Sequence, residues 1–146
     1  MKKLELFKEK HWILFFLSML TACSPLKEKN SSNIIVPRIE NTSDADNASY
    51  TEGKIITQGQ CLYIEFIDGS KVLPIFATKT ASWDEKNKSL IVDSETYLLG
   101  DKVAYGGGES FPLEKRHYSW KVEASDRCDI SRAIIINKIF RPLIPN

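Results

Sequence analysis

Alternation of side chains between positions 61 and 67 is the feature that most restricts the fold of this chain. In the run CLYIEFI, Leu62, Ile64 and Phe66 would share one face of a strand, and the residues between them would share the other. Successive side chains of a β-strand point to opposite faces, so this run predicts a strand with its Leu-Ile-Phe face in a core. The Asp68-Gly69 pair that follows is a hairpin turn signal.

Short apolar runs of this kind recur from Lys54 onwards, separated by turn signals about every eight to twelve residues, which is typical of an all-β sandwich or barrel. The order is two hairpins, a glycine-rich strand, an irregular excursion and a closing strand at Ala133–Phe140. We therefore predict an all-β domain over residues 53–146, as a small OB-like barrel with an open β-sandwich as the alternative. Pro74 predicts an edge position or a bulge, and a short helix is predicted within 119–125.

The N-terminus has the composition of an export signal. Four lysines lie within the first ten residues, and Trp12–Leu20 is apolar apart from Ser18. A membrane-spanning helix needs about 20 apolar residues, roughly twice what this run offers. The pattern therefore predicts a signal peptide over residues 1–22, because a charged start and a short apolar run are typical of one.

The four residues Leu20-Thr21-Ala22-Cys23 resemble the bacterial lipobox. The resemblance implies that the signal is removed before Cys23 and that this thiol carries lipid, which makes the lipid bilayer a partner. Two or more acyl chains anchor a protein stably. The implied location is the bacterial cell envelope, with Ser24 favouring the outer membrane in a Gram-negative host. The alternative is an ordinary secretory signal followed by an unmodified cysteine.

Residues 23–52 are rich in Ser, Asn, Asp and Glu and predict a lipidated, disordered linker. Ile34-Ile35-Val36 interrupts the polar composition, and the alternative for this stretch is a strand added to the domain. Loss of residues 1–22 would remove four Lys and two Glu from a chain of net charge +1, which leaves −1. Nucleic-acid binders show basic stripes, so no nucleic-acid partner is predicted.

Two cysteines, Cys61 and Cys128, remain beside the lipobox cysteine. In an exported chain one remaining pair suggests one disulfide. Two free buried thiols, or pairing between two chains, are the alternatives. Two separated cysteines are too few for a structural zinc site, so neither a metal nor a cofactor is predicted.

A second resemblance covers about residues 52–140. The segments GKIITQGQCLYIEF, VLPIF and YLLGDKVAYGGGE, followed by Cys128 before an apolar strand, resemble a pattern in small exported bacterial domains with an OB-like fold. The resemblance implies that fold and a Cys61–Cys128 bridge, and it implies no activity.

The stretch from Gly106 to Trp120 holds the candidate binding residues. Consecutive glycines at 106–108 can present backbone N–H groups to an anion, but Glu109 repels anions and a tight turn is favoured instead. Aromatic rings and an arginine could form a stacking platform for sugars or bases. The alternative is core packing of the same rings. The candidate residues are Glu109, Phe111, Arg116, Tyr118 and Trp120.

No catalytic residue is predicted. His117 has no obvious nucleophile beside it, the chain contains no Gly-x-Ser-x-Gly elbow, and the separation of Asp101 and Glu114 cannot be read from sequence. We therefore predict a membrane-anchored, non-catalytic β domain that binds an envelope protein or glycan. The alternative is a small envelope hydrolase or carbohydrate-binding enzyme using Glu109, Glu114 or His117.

Overall fold

The computed structural model describes residues 33–40 and 50–143. The predicted signal peptide, Cys23 and the linker residues 24–32 and 41–49 lie outside the described residues. Within the described ranges the regular elements are ten β-strands and one short 3-10 turn at Lys115–His117, so the predicted all-β class is confirmed.

Seven strands pair in one mixed sheet, and the other three form a separate antiparallel meander, β5-β6-β7. In chain order the strands are β1 (Arg38–Ile39), β2 (Tyr50–Gln58), β3 (Cys61–Glu65), β4 (Lys71–Phe76), β5 (Ala81–Asp84), β6 (Ser89–Val92), β7 (Glu95–Leu98), β8 (Lys102–Gly107), β9 (Trp120–Val122) and β10 (Ala133–Phe140).

Five strands of the larger sheet pair in a ring, in the order β2-β3-β4-β10-β8 and back to β2. Four of these pairings are antiparallel, and β4 with β10 is parallel, from Leu73 opposite Ala133 to Phe76 opposite Ile136. Counted along the chain, the order is first, second, third, fifth, fourth. This order is consistent with the predicted OB-like barrel, and the division into a seven-stranded and a three-stranded sheet is also consistent with the open β-sandwich alternative. We call this unit the five-strand ring.

The β3–β4 pair is formed only beside its turn, at Ile64–Val72 and Glu65–Lys71. Pro74 follows on β4, and its nitrogen carries no hydrogen to donate. The Leu73 N–H donates to Arg132 O, next to β10, so alternation along the strand directs position 74 towards β3. Pro74 therefore lies where β3 and β4 separate, which accounts for a proline inside a buried strand.

Residues 33–40, which we call the N-terminal segment, fill the gap between the separated strands. The Ile35 N–H donates to Gln60 O (3.0 Å), and the Phe76 N–H donates to Pro37 O (2.9 Å). Strand β1 pairs in parallel with the end of β4 and antiparallel with β9. Val36 is buried in the interior of the ring. The N-terminal segment thus completes the wall between β3 and β4.

This arrangement corrects the linker prediction for part of its length. Residues 33–40 lie inside the predicted linker 23–52, yet Val36 and Ile39 are buried, and the segment forms backbone hydrogen bonds with Gln60, Phe76 and Ser119. The alternative for Ile34-Ile35-Val36, a strand added to the domain, agrees with the Ile35–Cys61 bridge and with β1. Strand β2 also begins at Tyr50, before the predicted domain boundary at residue 53.

The interior of the ring is apolar and follows the predicted alternation. Leu62 and Ile64 face inward on β3, and Cys61 and Tyr63 pack on the outside. The meander contributes three buried side chains to this inner core: Leu90, Val92 and Tyr97. The Tyr97 hydroxyl donates to Ile139 O (3.0 Å) near the end of β10, so the meander closes the end of the ring where β4 and β10 finish.

A second apolar core lies outside the ring. Residues 108–132, here called the covering loop, pack over the outer faces of β3, β4 and β10. Cys61 and Cys128 form a disulfide between β3 and this loop, which confirms the predicted bridge. The Asp129 N–H also donates to the Tyr63 hydroxyl (2.7 Å). The helix predicted within 119–125 is wrong, because Trp120–Val122 pairs with β1 as strand β9.

Candidate functional site

The five predicted binding residues divide into two groups. Phe111, Tyr118 and Trp120 lie on the covering loop, with ring centroids 6.3 Å apart for Phe111–Tyr118 and 5.8 Å apart for Tyr118–Trp120. Glu109 is exposed at the beginning of the loop. Arg116 lies in the 3-10 turn, and its side chain is outside the described part of the structure.

The aromatic rings anchor the covering loop to the ring of strands. All three are half-buried and pack against the outer core, and the Trp120 indole N–H donates to Lys115 O (2.6 Å). A stacking platform needs ring faces open to solvent. The geometry therefore supports the packing alternative for these rings more than the platform.

The covering loop also occupies the surface on which OB-folds bind. Oligonucleotides and oligosaccharides lie across the second and third strands of that fold, which correspond to β3 and β4 here. In this chain the outer faces of β3 and β4 are buried under Leu113, Ala124 and Cys128 of the loop. These two outer faces are therefore not accessible to a ligand in the described domain.

An open cleft of about 670 Å³ lies at the other end of the ring from the meander. We call it the end cleft. It lies where β2 and β10 begin, where β8 ends and beside the β3–β4 turn. Its lining residues are Thr51, Phe66, Val72, Tyr105, Gly107, Gly108, Glu109, Ser110, Arg132 and Ile134. The volume is within the range of small-molecule sites, about 300–1,000 Å³.

The end cleft has an apolar floor and a polar rim. Val72, Tyr105 and Ile134 belong to the inner core and are buried. The rim carries the hydroxyl side chains Thr51 and Ser110 and two exposed charged residues, Glu109 and Arg132. Such a combination of apolar floor and few polar groups is typical of binding sites.

The charge of Arg132 affects the pKa values of Tyr105, which lines the cleft, and of Asp68 in the β3–β4 turn. Burial raises the pKa of Tyr105 to about 12, against smaller opposing effects of its hydrogen bond with Thr51 and of the Arg132 charge. The pKa of Asp68 is lowered mainly by hydrogen bonds from the hydroxyl and amide of Ser70, and to a smaller extent by Arg132. Tyr105 is therefore a neutral phenol at physiological pH, and the Arg132 charge acts on both Tyr105 and Asp68.

Arg132 and Glu109 form no ion pair within 4.0 Å with any residue that the structure describes. By contrast, the side chain of Lys115 contacts Glu123 and Asp126, and Arg141 contacts Asp101. The rim of the cleft thus presents one positive and one negative group that remain open to a ligand.

The other groups considered from sequence lie apart from the cleft. His117 is exposed, with Nδ1 3.4 Å from Glu114 Oε2, and Asp101 accepts a hydrogen bond from Leu98 N. Over residues 33–40 and 50–143, no group of three or more His, Cys, Asp or Glu side chains is arranged to hold a metal ion.

Sequence reasoning identified Glu109 but missed Thr51, Tyr105 and Arg132. These residues are far apart along the chain and meet only because β2, β8 and β10 pair. Arg132 stands directly before the predicted closing strand Ala133–Phe140, and a charged residue at that boundary was the local signal.

Comparisons of the chain with protein-family models, with curated proteins and with solved structures find no significant match. Among the residues that the structure describes, none belongs to a helix with the length and apolar character needed to cross a membrane.

Proposed function

We propose that this protein is a membrane-anchored bacterial lipoprotein whose β domain binds an envelope component or protein partner without catalysis. The anchor would be the acylated Cys23, and the binding site would be the end cleft. The outer membrane is the proposed location in a Gram-negative host.

Two sequence features support the anchor. A charged and then apolar start ends in Leu20-Thr21-Ala22-Cys23, the lipobox pattern. Disulfides persist in oxidising compartments and are rare in the cytosol, so the Cys61–Cys128 bridge is consistent with export.

The observation that carries the binding proposal is the end cleft with its two charged groups that make no ion pair in the described domain. Isolated surface charges are ordinary, but here a cation and an anion border a floor built from inner-core side chains. The outer faces of β3 and β4 are covered by the loop, whereas the end cleft is an open concave surface of the described domain.

No observation favours the hydrolase alternative. Hydrolysis of a glycosidic bond commonly needs two carboxyl groups on either side of the bond. Among the described residues that line the cleft, Glu109 is the one carboxylate. We therefore propose binding alone.

Metabolic labelling tests the anchor. Cells that express the full chain are grown with labelled palmitate, and the label is expected in the native protein and absent from the Cys23→Ser variant. The variant should also leave the membrane fraction. Equal sedimentation of both proteins with membranes, or no label in the native protein, would overturn the anchor.

Photo-crosslinking in cells tests the cleft. A photoreactive amino acid replaces Ser110 on the cleft rim or, as a control, Lys86 on the exposed meander turn. We expect a reproducible adduct from position 110 that is absent from position 86 and is lost when Arg132→Ala is added. Adducts that are equal at both positions, or no adduct at position 110, would contradict binding at the cleft.

A further inference from the structure

We infer that the end cleft takes a zwitterionic ligand of the size of a short peptide, with its carboxylate at Arg132 and its ammonium group at Glu109. This inference rests on the proposed function, because it names the chemical class of ligand for the same cleft.

The first step concerns charge. An arginine guanidinium presents a planar set of donors that matches a carboxylate. Glu109 on the same rim would repel a ligand that carries only negative charge, at close range in a partly desolvated cleft. A ligand with one group of each sign satisfies both side chains, whereas a purely anionic or purely cationic ligand satisfies one and opposes the other.

The second step concerns spacing. Phe111 and Ala133 form an antiparallel bridge, with hydrogen bonds Phe111 N to Ala133 O (2.9 Å) and Ala133 N to Phe111 O (2.8 Å). Glu109 lies two residues before the bridge on one chain segment, and Arg132 lies one residue before it on the antiparallel segment, so the two residues lie on opposite sides of the bridge. At a rise of about 3.3 Å per residue, their backbones are separated by up to about 10 Å along the strand direction.

That separation fits a dipeptide better than a single amino acid. The termini of an extended dipeptide are about 7 Å apart, since each residue spans about 3.3–3.6 Å. The two charged side chains of the rim can cover the remaining distance. The charged groups of a single α-amino acid lie closer together, so the two side chains would have to cover more of the distance.

The third step concerns the apolar floor. Phe66, Val72 and Ile134 line the cleft between the polar rim residues. An apolar side chain of the ligand would remove this surface from water, at about 25 cal/mol per Å² of apolar area. The floor therefore favours a peptide with at least one aliphatic side chain.

The fourth step concerns preorganisation. Arg132 O accepts the Leu73 N–H (2.9 Å), and the Phe111–Ala133 bridge fixes the backbone next to both ends of the covering loop. The disulfide holds the same loop to β3. Arg132 is thus mounted on hydrogen-bonded backbone, and Glu109 lies two residues before the bridge. Order in this backbone lowers the entropy cost of binding.

Calorimetric titration of the full chain, purified from membranes in detergent, tests the inference with four matched peptides. Gly-Leu carries both charges, N-acetyl-Gly-Leu only the negative one, Gly-Leu-amide only the positive one, and N-acetyl-Gly-Leu-amide neither. We expect Gly-Leu to bind about tenfold more tightly than either singly charged peptide, because each of those peptides lacks one of the two charge-assisted hydrogen bonds.

Two neutral variants assign the charges. Arg132→Gln should weaken Gly-Leu and N-acetyl-Gly-Leu but leave Gly-Leu-amide unchanged, and Glu109→Gln should show the opposite preference. Arg127→Gln and Glu95→Gln, at exposed positions outside the cleft lining, are the controls. Neither rim residue forms an ion pair within 4.0 Å with a described residue, and both side chains are exposed, so both variants should nearly keep the unfolding temperature of the native protein.

Equal affinity for the four peptides, no binding at millimolar concentration, or binding unaffected by either rim variant would overturn the inference. If the crosslinked partner at position 110 persists in any of these cases, the ligand class is wrong and binding at the cleft stands. If that adduct is also missing, the cleft proposal falls with it.

Discussion

At the residue scale, two adjacent glycines of the cleft have different surroundings. A Cβ added to Gly107 would lie 2.7 Å from the backbone oxygen of Ile135, whereas a Cβ added to Gly108 would have no atom within 4 Å. Strand β8 can therefore approach β10 closely only if position 107 has no side chain. The run Gly106-Gly107-Gly108 looks uniform in the sequence, and only the paired strand distinguishes its members.

We predict that Gly107→Ala lowers the free energy of unfolding by about 1–3 kcal/mol, the cost of overpacking a site that cannot move freely. Gly108→Ala should leave the free energy unchanged or raise it slightly, because alanine restricts the unfolded chain more than glycine does. Urea unfolding followed by tryptophan fluorescence measures both. A similar loss for the two variants would contradict the packing argument.

Tyr105 makes the stability of the domain depend on pH in the alkaline range. Its pKa is raised from 10.0 in the unfolded chain to about 12 in the fold by burial. Between these values the unfolded state loses its proton first, so the stability associated with the neutral phenol is present below pH 10 and declines as the pH rises towards 12. The pKa of Tyr97 is also raised, mainly by burial, so deprotonation of the unfolded chain at Tyr97 also lowers stability at alkaline pH.

We predict that Tyr105→Phe reduces this alkaline decline. The difference in unfolding free energy between the native protein and the variant should be constant up to about pH 9 and should then shift in favour of the variant, since phenylalanine has no proton to lose. Urea titrations at a series of alkaline pH values provide the measurement. A difference that does not vary with pH would contradict the assignment.

At the scale of elements, the N-terminal segment differs most from its sequence-based prediction. Its polar surroundings in the chain predicted a linker, but Pro74 interrupts the β3–β4 pair and leaves backbone groups that the segment satisfies. Buried backbone N–H and C=O groups need partners, so a separated pair of strands needs an inserted chain. The composition of a segment indicates its local polarity, but it does not indicate that two other strands separate and leave room for the segment.

We predict that Val36→Asp strongly destabilises the domain, by about 3 kcal/mol or more, because the side chain is 4% exposed and an unpaired charge would be buried in the inner core. Asn33→Asp, at an exposed position of the same segment, should change the unfolding temperature little. If residues 33–40 were part of a disordered linker, the two variants would behave alike in thermal unfolding.

At the scale of the whole molecule, the disulfide joins strand β3 to the covering loop within the outer core. Cys61 belongs to β3 and Cys128 to the covering loop, 67 residues apart. A cross-link that closes a loop of this size restricts the unfolded chain by about 4 kcal/mol in the chain-entropy account. The bridge thus stabilises the covering loop over β3 and β4.

We predict that Cys61→Ser with Cys128→Ser lowers the unfolding free energy by about 4 kcal/mol, or prevents folding at 37 °C, as is common for small exported domains. Either single variant should cost at least as much. Mass measurement after alkylation checks the bond itself: the native, unreduced domain should offer neither thiol. Two alkylated cysteines without reductant would contradict the bridge.

The position of the N-terminal segment also sets an expected orientation. Ile35 joins the ring beside Gln60, at the end opposite the end cleft. If Cys23 carries lipid, the chain enters the domain on the side away from the cleft. We therefore expect the cleft to face away from the bilayer and towards components of the surrounding compartment.

Fluorescence quenching tests this orientation in vesicles. A label on Ile67→Cys, at the turn beside the cleft, should be quenched less by a lipid-borne quencher than a label on Lys79→Cys, near the opposite end. Without the anchor, in Cys23→Ser, both labels should escape quenching. Stronger quenching at position 67 than at position 79 would reverse the proposed orientation.

Much of the local structure could be predicted from the sequence. Side-chain alternation gives β3, the Asp-Gly pair gives its turn, and the apolar run 133–140 gives β10 with its observed bounds. These features depend on residues that are neighbours in the chain, so they can be recognised in the sequence. The site was harder to predict from the sequence. Glu109 could be proposed from local chemistry, whereas Thr51, Tyr105 and Arg132 come together only through strand pairing.

By itself, the sequence determined the all-β class, most strand positions and the availability of one cysteine pair, since each follows from local periodicity or from counting. Only the tertiary structure decided that β4 pairs with β10, that residues 33–40 enter the ring at Pro74, and that the covering loop buries β3 and β4. Those outcomes depend on which backbone groups and apolar faces remain unsatisfied after the local hairpins form. Which groups and faces remain unsatisfied depends on the assembled fold and cannot be read from any short stretch of the chain.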